Sequence, residues 1–94
     1  MIVNLQLGEP IWRKINHREL LVDWALPGIS VSEFIHELGK RYPELTEEVF
    51  GESGDFNYHF IIFLNGVQVR WSESRQTILS NDDEVMIMMP LSGG

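Results

Sequence analysis

The sequence predicts an α+β domain in which one main helix packs across one face of a mixed sheet of four to five strands. Three observations predict this class. Residues 31–42 repeat apolar side chains at helical spacing, several shorter segments have the apolar pattern of strands, and Asn65-Gly66 marks a tight hairpin. Because one helix covers only one face of a sheet, the other face should stay open.

The composition limits the chain to one domain and narrows its partners. The chain has 94 residues, 44% of them hydrophobic, which is enough for a single core. Fourteen acidic and seven basic side chains give a formal charge of −7, which disfavours nucleic acid and anionic membranes and favours a partner with a basic docking surface. Without cysteine there is no disulfide, thiolate nucleophile or thiolate metal ligand. The longest apolar run is residues 60–64 and no leader precedes it, so we expect a soluble, cytoplasmic protein.

Two strands are predicted at the start of the chain. Residues 2–7 are rich in strand-forming side chains and end at Gly8-Glu9-Pro10, where glycine and proline interrupt regular structure. A second apolar segment over residues 19–26 predicts the antiparallel partner strand. Residues 11–16 between them show no clear pattern.

The main helix is the best-defined element. Ser30 and Glu33 have the spacing of a capping box, so the helix should begin at Val31. Pro43 should end it, because proline lacks an N–H and restricts the residue before it. Residues 44–50 are expected to form a short helical turn. One apolar stripe runs along the helix and consists of Val31, Phe34, Ile35, Leu38 and Tyr42.

Three more strands are predicted in the second half. Residues 59–64 are apolar on both faces and indicate an inner strand. Asn65-Gly66 then predicts a type I′ turn, with residues 67–71 as the antiparallel partner. A polar turn at residues 80–83 leads into the last strand at residues 84–89.

Four segments, taken in order, resemble a known family. They are Leu26-Pro27-Gly28-Ile29-Ser30-Val31, Phe63-Leu64-Asn65-Gly66, the stretch from Leu79 to Val85, and Met89-Pro90-Leu91-Ser92-Gly93-Gly94. They resemble the start of the helix, the strand-to-turn segment, the turn before the last strand and the reactive tail of the ubiquitin-like β-grasp sulfur carriers of the MoaD/ThiS family. The segment at residues 44–58 is closer in length to the corresponding segment of the small subunit of molybdopterin synthase than to the shorter one of the thiamine-pathway carrier.

The chain departs from the family pattern at two positions. Asp82 stands where the family often has glycine, and a second proline common near Met89 is absent. Aspartate tolerates left-handed backbone geometry better than most residues, so we expect the turn to form with Asp82.

The resemblance implies that the C-terminal Gly94 is the reactive group. An α-carboxylate is an anion at neutral pH and a poor electrophile, so it must first be activated. The resemblance implies that a ubiquitin-activating-type adenylyltransferase uses ATP to adenylate Gly94. Sulfur from a sulfurtransferase or persulfide donor then leaves a thiocarboxylate. The chain itself would be a carrier without a bound cofactor, not an enzyme, and a synthase large subunit or another sulfur-accepting enzyme would receive the sulfur.

The sequence divides into a β-grasp domain, residues 1–89, and a flexible reactive tail, residues 90–94. When extended, the tail spans about 17 Å at ~3.3 Å per residue, which is enough to reach a buried site. Pro90 cannot donate to the sheet ladder and should separate the tail from the last strand. Glycines at the end give a narrow backbone that fits a tight cleft. The residues expected to thread into that cleft before Gly94 are Pro90, Leu91, Ser92 and Gly93.

The expected docking surface is the open sheet face beside the tail. Methionines there would suit several partners, because their side chains are flexible and polarizable. The sequence does not determine which strand parity faces the helix, so the same side chains are also candidates for the core. They are Ile61, Phe63, Met86 and Met88.

Other functions stay open at the sequence level. The chain is also compatible with a protein modifier that forms an isopeptide bond through Gly94, or with a noncovalent interaction module. The final sulfur acceptor is not specified. The histidines, at positions 17, 36 and 59, lack metal-ligand spacing, so no metal site is predicted. For at least two of the tryptophans, Trp12, Trp24 and Trp71, packing is the favoured role.

Overall fold

The computed structural model describes residues 1–90. Residues 91–94 lie outside the described part, so the predicted division into a 1–89 body and a 90–94 tail stays a prediction. The elements are β1 (Val3–Leu7), α1 (Ile11–Ile15), β2 (Glu19–Val22), α2 (Val31–Arg41), α3 (Pro43–Val49), β3 (Ile61–Leu64), β4 (Val67–Val69), a 3₁₀ turn (Trp71–Glu73) and β5 (Asp83–Met88).

The strands form one mixed sheet in the order β2-β1-β5-β3-β4. β1 and β5 are parallel, with Leu5 opposite Val85, and the other neighbours are antiparallel. The last strand therefore lies in the middle of the sheet. The mixed sheet and the single long helix confirm the predicted architecture.

The core lies between α2 and one face of the sheet. The stripe residues Phe34, Ile35 and Leu38 are fully buried, and Tyr42 follows the helix at half burial. The capping box is confirmed: Ser30 Oγ accepts a hydrogen bond from the Glu33 N–H at 3.1 Å, and Glu33 Oε1 accepts one from the Ser30 N–H at 3.2 Å. The sheet residues buried beneath the helix include Val3, Leu5, Ile62, Val85 and Ile87.

The Asn65-Gly66 turn is confirmed and is also fixed to the last strand. Asn65 and Gly66 have φ of 50° and 82°, as a type I′ turn requires. The Asn65 side chain accepts a hydrogen bond from the Glu84 N–H and donates one to Asp83, both at 2.9 Å. Asp82 has φ of 69°, which agrees with the expectation that it adopts left-handed geometry.

The structure corrects three predictions. Residues 11–15 form a helix, α1, where no element was predicted. The sequence does not reveal it, because five residues are too few to show a helical repeat and only Ile11 and Ile15 are buried. β2 ends at Val22 instead of residue 26. Trp71 begins a 3₁₀ turn and is not part of β4. Residues 44–50, expected as a helical turn, lie largely in α3, where Pro43 both stops α2 and occupies the first turn of the next helix.

Candidate functional site

The structure places all four candidate docking residues on the open face of the sheet. Ile61 pairs directly with Met88, and Phe63 with Met86, and paired residues of antiparallel strands lie on the same face. All four are half-buried, whereas the alternate residues of the same strands, such as Ile62, Val85 and Ile87, are at most 1% exposed and belong to the core. The strand parity is therefore resolved. We call Ile61, Phe63, Met86 and Met88 the open-face patch.

The open-face patch borders the point where the chain leaves the sheet. β5 ends at Met88, which pairs with the first residue of β3, Ile61. Polar residues occupy the same face farther along the strands, where the Gln6 amide donates to Glu84 at 3.2 Å. The apolar side chains of the open-face patch thus lie at the end of β5 from which the tail continues.

Met89 and Pro90 connect β5 to the tail. Met89 is half-buried and packs against the core, so it holds the end of the strand in place. Pro90 is exposed and lies outside the strand, as expected of a residue that cannot extend the ladder. The predicted threading residues Leu91, Ser92 and Gly93, and the reactive Gly94, lie outside the described residues.

Gly8 lets β1 lie directly against the end of β5. Its N–H donates to the Ile87 carbonyl at 2.8 Å. A Cβ at position 8 would lie 2.8 Å from Met88 Cβ and 3.2 Å from Met88 Cα. The sequence identified Gly8 only as a strand breaker, because this contact depends on the parallel register of two strands distant in the chain.

We expect the Gly8→Ala variant to lower the free energy of unfolding by about 1–3 kcal/mol, since the added methyl group overlaps Met88 next to its backbone. Urea unfolding followed by circular dichroism measures the change. Glu9→Ala is the control, because Glu9 is exposed and forms only a surface pair with Arg13. An unfolding free energy for Gly8→Ala equal to that of the control would contradict the close approach.

A basic edge flanks the same end of the sheet. Trp12 in α1 packs partly against the core, and the Arg18 guanidinium lies 4.1 Å from the centre of its ring. Arg13 lies 5.1 Å from the same ring. We call Trp12, Arg13 and Arg18 the basic edge. The sequence favoured packing for at least two of the three tryptophans and indicated no role for the arginines, although their spacing of one and six residues from Trp12 was a weak signal.

Lys14 fixes α1 to the body of the protein. Its ammonium forms an ion pair with Glu48 in α3. The hydrogen bond to Glu48, with the negative charges of Glu48 and Glu47, raises the pKa of Lys14 above its ordinary value. Because the folded-state pKa is raised, this contribution to stability is complete at neutral pH and is lost only when the pH rises through the raised pKa.

The tryptophans pack as expected. Trp12, Trp24 and Trp71 are all partly buried against the core. Trp71 stacks on Phe56 with ring centres 4.6 Å apart and so anchors the segment between α3 and β3. Within residues 1–90 no group of three or more histidine and acidic side chains is arranged to hold a metal ion. None of the helices described is long and apolar enough to span a bilayer.

The comparisons with known proteins agree with this architecture. Small archaeal modifier protein 1 from Haloferax volcanii superposes with a TM-score of 0.84 at 22% identity, covering 100% of both chains. The protein of the same name from Methanosarcina acetivorans gives a TM-score of 0.79 at 26% identity, covering 99% of this chain and 96% of that one. A candidate sulfur carrier protein from Archaeoglobus fulgidus is 29% identical over 80 residues, which are 85% of this chain and 89% of that protein.

These similarities define the class as a ubiquitin-like β-grasp protein, and they confirm the predicted fold. The sequence profile of the ThiS family matches residues 15–94. The chain belongs to the ThiS family, a family of small sulfur carriers.

Proposed function

We propose that the chain is a sulfur carrier whose Gly94 carboxylate is adenylated by a partner enzyme and then converted to a thiocarboxylate. ATP and the carboxylate give an acyl-adenylate and pyrophosphate. Sulfide then attacks the carbonyl carbon and AMP leaves. With a persulfide donor the same attack gives an acyl disulfide, which a thiol reduces to the thiocarboxylate. The thiocarboxylate then donates its sulfur in a biosynthetic reaction.

The observation that carries the proposal is the family match, which extends through residue 94 and so includes the diglycine. The position of the open-face patch supports it. An apolar surface beside Pro90 allows an enzyme to hold the folded body while the following residues reach its active site. We therefore assign the open-face patch to partner docking.

The proposal divides the chemistry between the carrier and its partners. The carrier supplies the acyl group and binds no cofactor, while a ubiquitin-activating-type adenylyltransferase binds ATP. A sulfurtransferase or persulfide donor supplies sulfur, and a synthase large subunit or another enzyme accepts it. The proposed use of ATP supports a cytoplasmic location. The charge of −7 disfavours nucleic acid or membrane partners.

Among the possible pathways we favour the molybdopterin type. The support is the length of the segment between α2 and β3, which contains α3 and the anchored loop that ends at Phe60. This segment resembles the small subunit of molybdopterin synthase more than the shorter thiamine carriers.

Mass spectrometry tests the thiocarboxylate directly. Protein isolated from cells that contain the native activating enzyme should show a mass gain equal to the replacement of one oxygen by sulfur, mapped to Gly94. Protein produced without the enzyme is the control and should show no gain. An unmodified terminus in both preparations would refute the proposal.

A second candidate function is protein modification through Gly94. Its support is the similarity to small archaeal modifier protein 1 from Methanosarcina acetivorans, at 26% identity. Lysines that carry a Gly-Gly remnant after proteolysis of cell extracts would establish this role. The two functions share the activation step, so finding one does not contradict the other.

A further inference from the structure

The positive charges of this acidic chain are unevenly placed. Of the seven basic residues, Arg13, Lys14 and Arg18 fall within six consecutive positions. The Leu7 N–H donates to the Arg18 carbonyl at 2.8 Å, which places this segment at the end of β1 where β5 finishes. Three of the seven basic residues of the chain therefore belong to a segment that lies next to the start of the tail.

Arg18 differs from the other cations of this segment. Arg13 is paired with Glu9, and Lys14 with Glu48. None of the ion pairs found within residues 1–90 includes Arg18. Its guanidinium instead lies over the Trp12 ring at 4.1 Å, which restricts the side chain and leaves its N–H groups available.

Arg18 also adjoins the open-face patch. Together with Gly8, Met86 and Met88 it lines a shallow depression at the margin of the patch, and the exposed carboxylate of Glu19 lies on the same rim. A partner surface that covers Met86 and Met88 must therefore meet the guanidinium as well.

We propose that Arg18, supported by Trp12, binds a carboxylate on the activating enzyme and sets the orientation in which the carrier docks. This inference rests on the proposed function. Planar guanidinium groups bind carboxylates through two parallel hydrogen bonds, so the contact gives direction as well as attraction. The rest of the carrier is acidic and attracts basic surfaces of the enzyme. A single carboxylate on the enzyme pairs with Arg18 in the correct docking orientation, and in the reverse orientation it meets acidic side chains of the carrier.

A nucleotide phosphate is the less favoured occupant. ATP must react at Gly94, four residues beyond Pro90 and up to about 13 Å away at ~3.3 Å per residue. Arg18 lies on the folded body at the margin of the patch, which is the surface assigned above to partner docking.

The test uses the full chain and the adenylyltransferase of the source organism in ATP–pyrophosphate exchange. We expect Arg18→Glu to raise the KM for the carrier about tenfold with little change in kcat, and to weaken the dependence of the rate on salt. Arg18→Lys, which keeps the charge but loses the planar fork, should raise the KM about threefold. Arg75→Glu is the matched charge reversal on the helix side of the sheet, near Trp71, and should change the KM by less than about twofold.

The outcomes separate this inference from the proposed function. Three results together support the contact. The wild-type chain shows exchange, Arg18→Glu raises the KM for the carrier whereas Arg75→Glu does not, and an acidic-to-basic change on the enzyme restores the KM of Arg18→Glu. Equal KM values for Arg18→Glu and Arg75→Glu overturn the inference and leave the carrier function intact. An altered KM for ATP instead of the carrier assigns Arg18 to the nucleotide and also overturns it. No exchange with the wild-type chain refutes both. Thermal unfolding of each variant shows whether the fold is retained.

Discussion

A variant with one alanine added after Gly94 is expected to lose adenylation by a factor of about 100 or more. The addition moves the carboxylate about 3.3 Å farther along the chain and places a Cβ next to it. Misplacement of a reacting group by about 1 Å is enough to reduce a rate about 100-fold. ATP–pyrophosphate exchange measures the loss, and the mass of the terminal peptide shows whether any thiocarboxylate forms.

An alanine inserted after Glu52 provides the matched control. Residues 51–55 are exposed and lie outside the helices and strands, so the same added residue there should leave adenylation unchanged. If the extended chain were activated as well as this control, Gly94 would not be the acyl donor. Retained partner binding without activation would instead agree with carrier or modifier function, since docking depends on the folded body.

The Phe34→Ala variant should lose about 3–5 kcal/mol of unfolding free energy. Phe34 is 0% exposed in the first half of α2, and its ring stacks on that of Trp24 with the ring centres 5.5 Å apart. Removing the ring leaves a cavity between the helix and the sheet and also removes the support of Trp24. Since a domain of this size has a free energy of unfolding of only about 5–15 kcal/mol, the variant should be partly unfolded near the growth temperature of the source organism.

Urea unfolding followed by circular dichroism measures this loss. Lys40→Ala is the control on the same helix, because the Lys40 side chain is 74% exposed and makes only a surface pair with Glu37. Its effect should lie within about 0.5 kcal/mol. A similar stability for the two variants would show that Phe34 does not form the centre of the core.

The parts of the fold that depend only on residues close together in the chain were predictable from the sequence. The capping box at Ser30 and the turn at Asn65-Gly66 each require a local backbone geometry that a few side chains specify, and both formed where expected. The end of β2 was not predictable in this way. Trp24 continues the apolar pattern of the strand, but it is apolar because it packs on Phe34 of α2.

The candidate site was predictable only in part. The alternation of β5 placed Met86 and Met88 on one face, but only the burial of the alternate residues Val85 and Ile87 in the core shows that this face is turned away from α2. Arg18 and Trp12 meet because α1 forms and because β2 returns beside β1. The pairing of β2 with β1 was expected from the sequence, but the formation of α1 was not, because a five-residue helix is too short to show a repeat.

The central position of β5 has a consequence for synthesis on the ribosome. β5 forms hydrogen bonds with β1 on one side and β3 on the other, although it is translated last among the strands. Until residues 83–88 emerge, the nascent polypeptide has two separate hairpins with no strand to join them. The sheet therefore cannot be completed before residues 83–88 have been translated, and unfinished chains should expose their strand edges to chaperones and proteases.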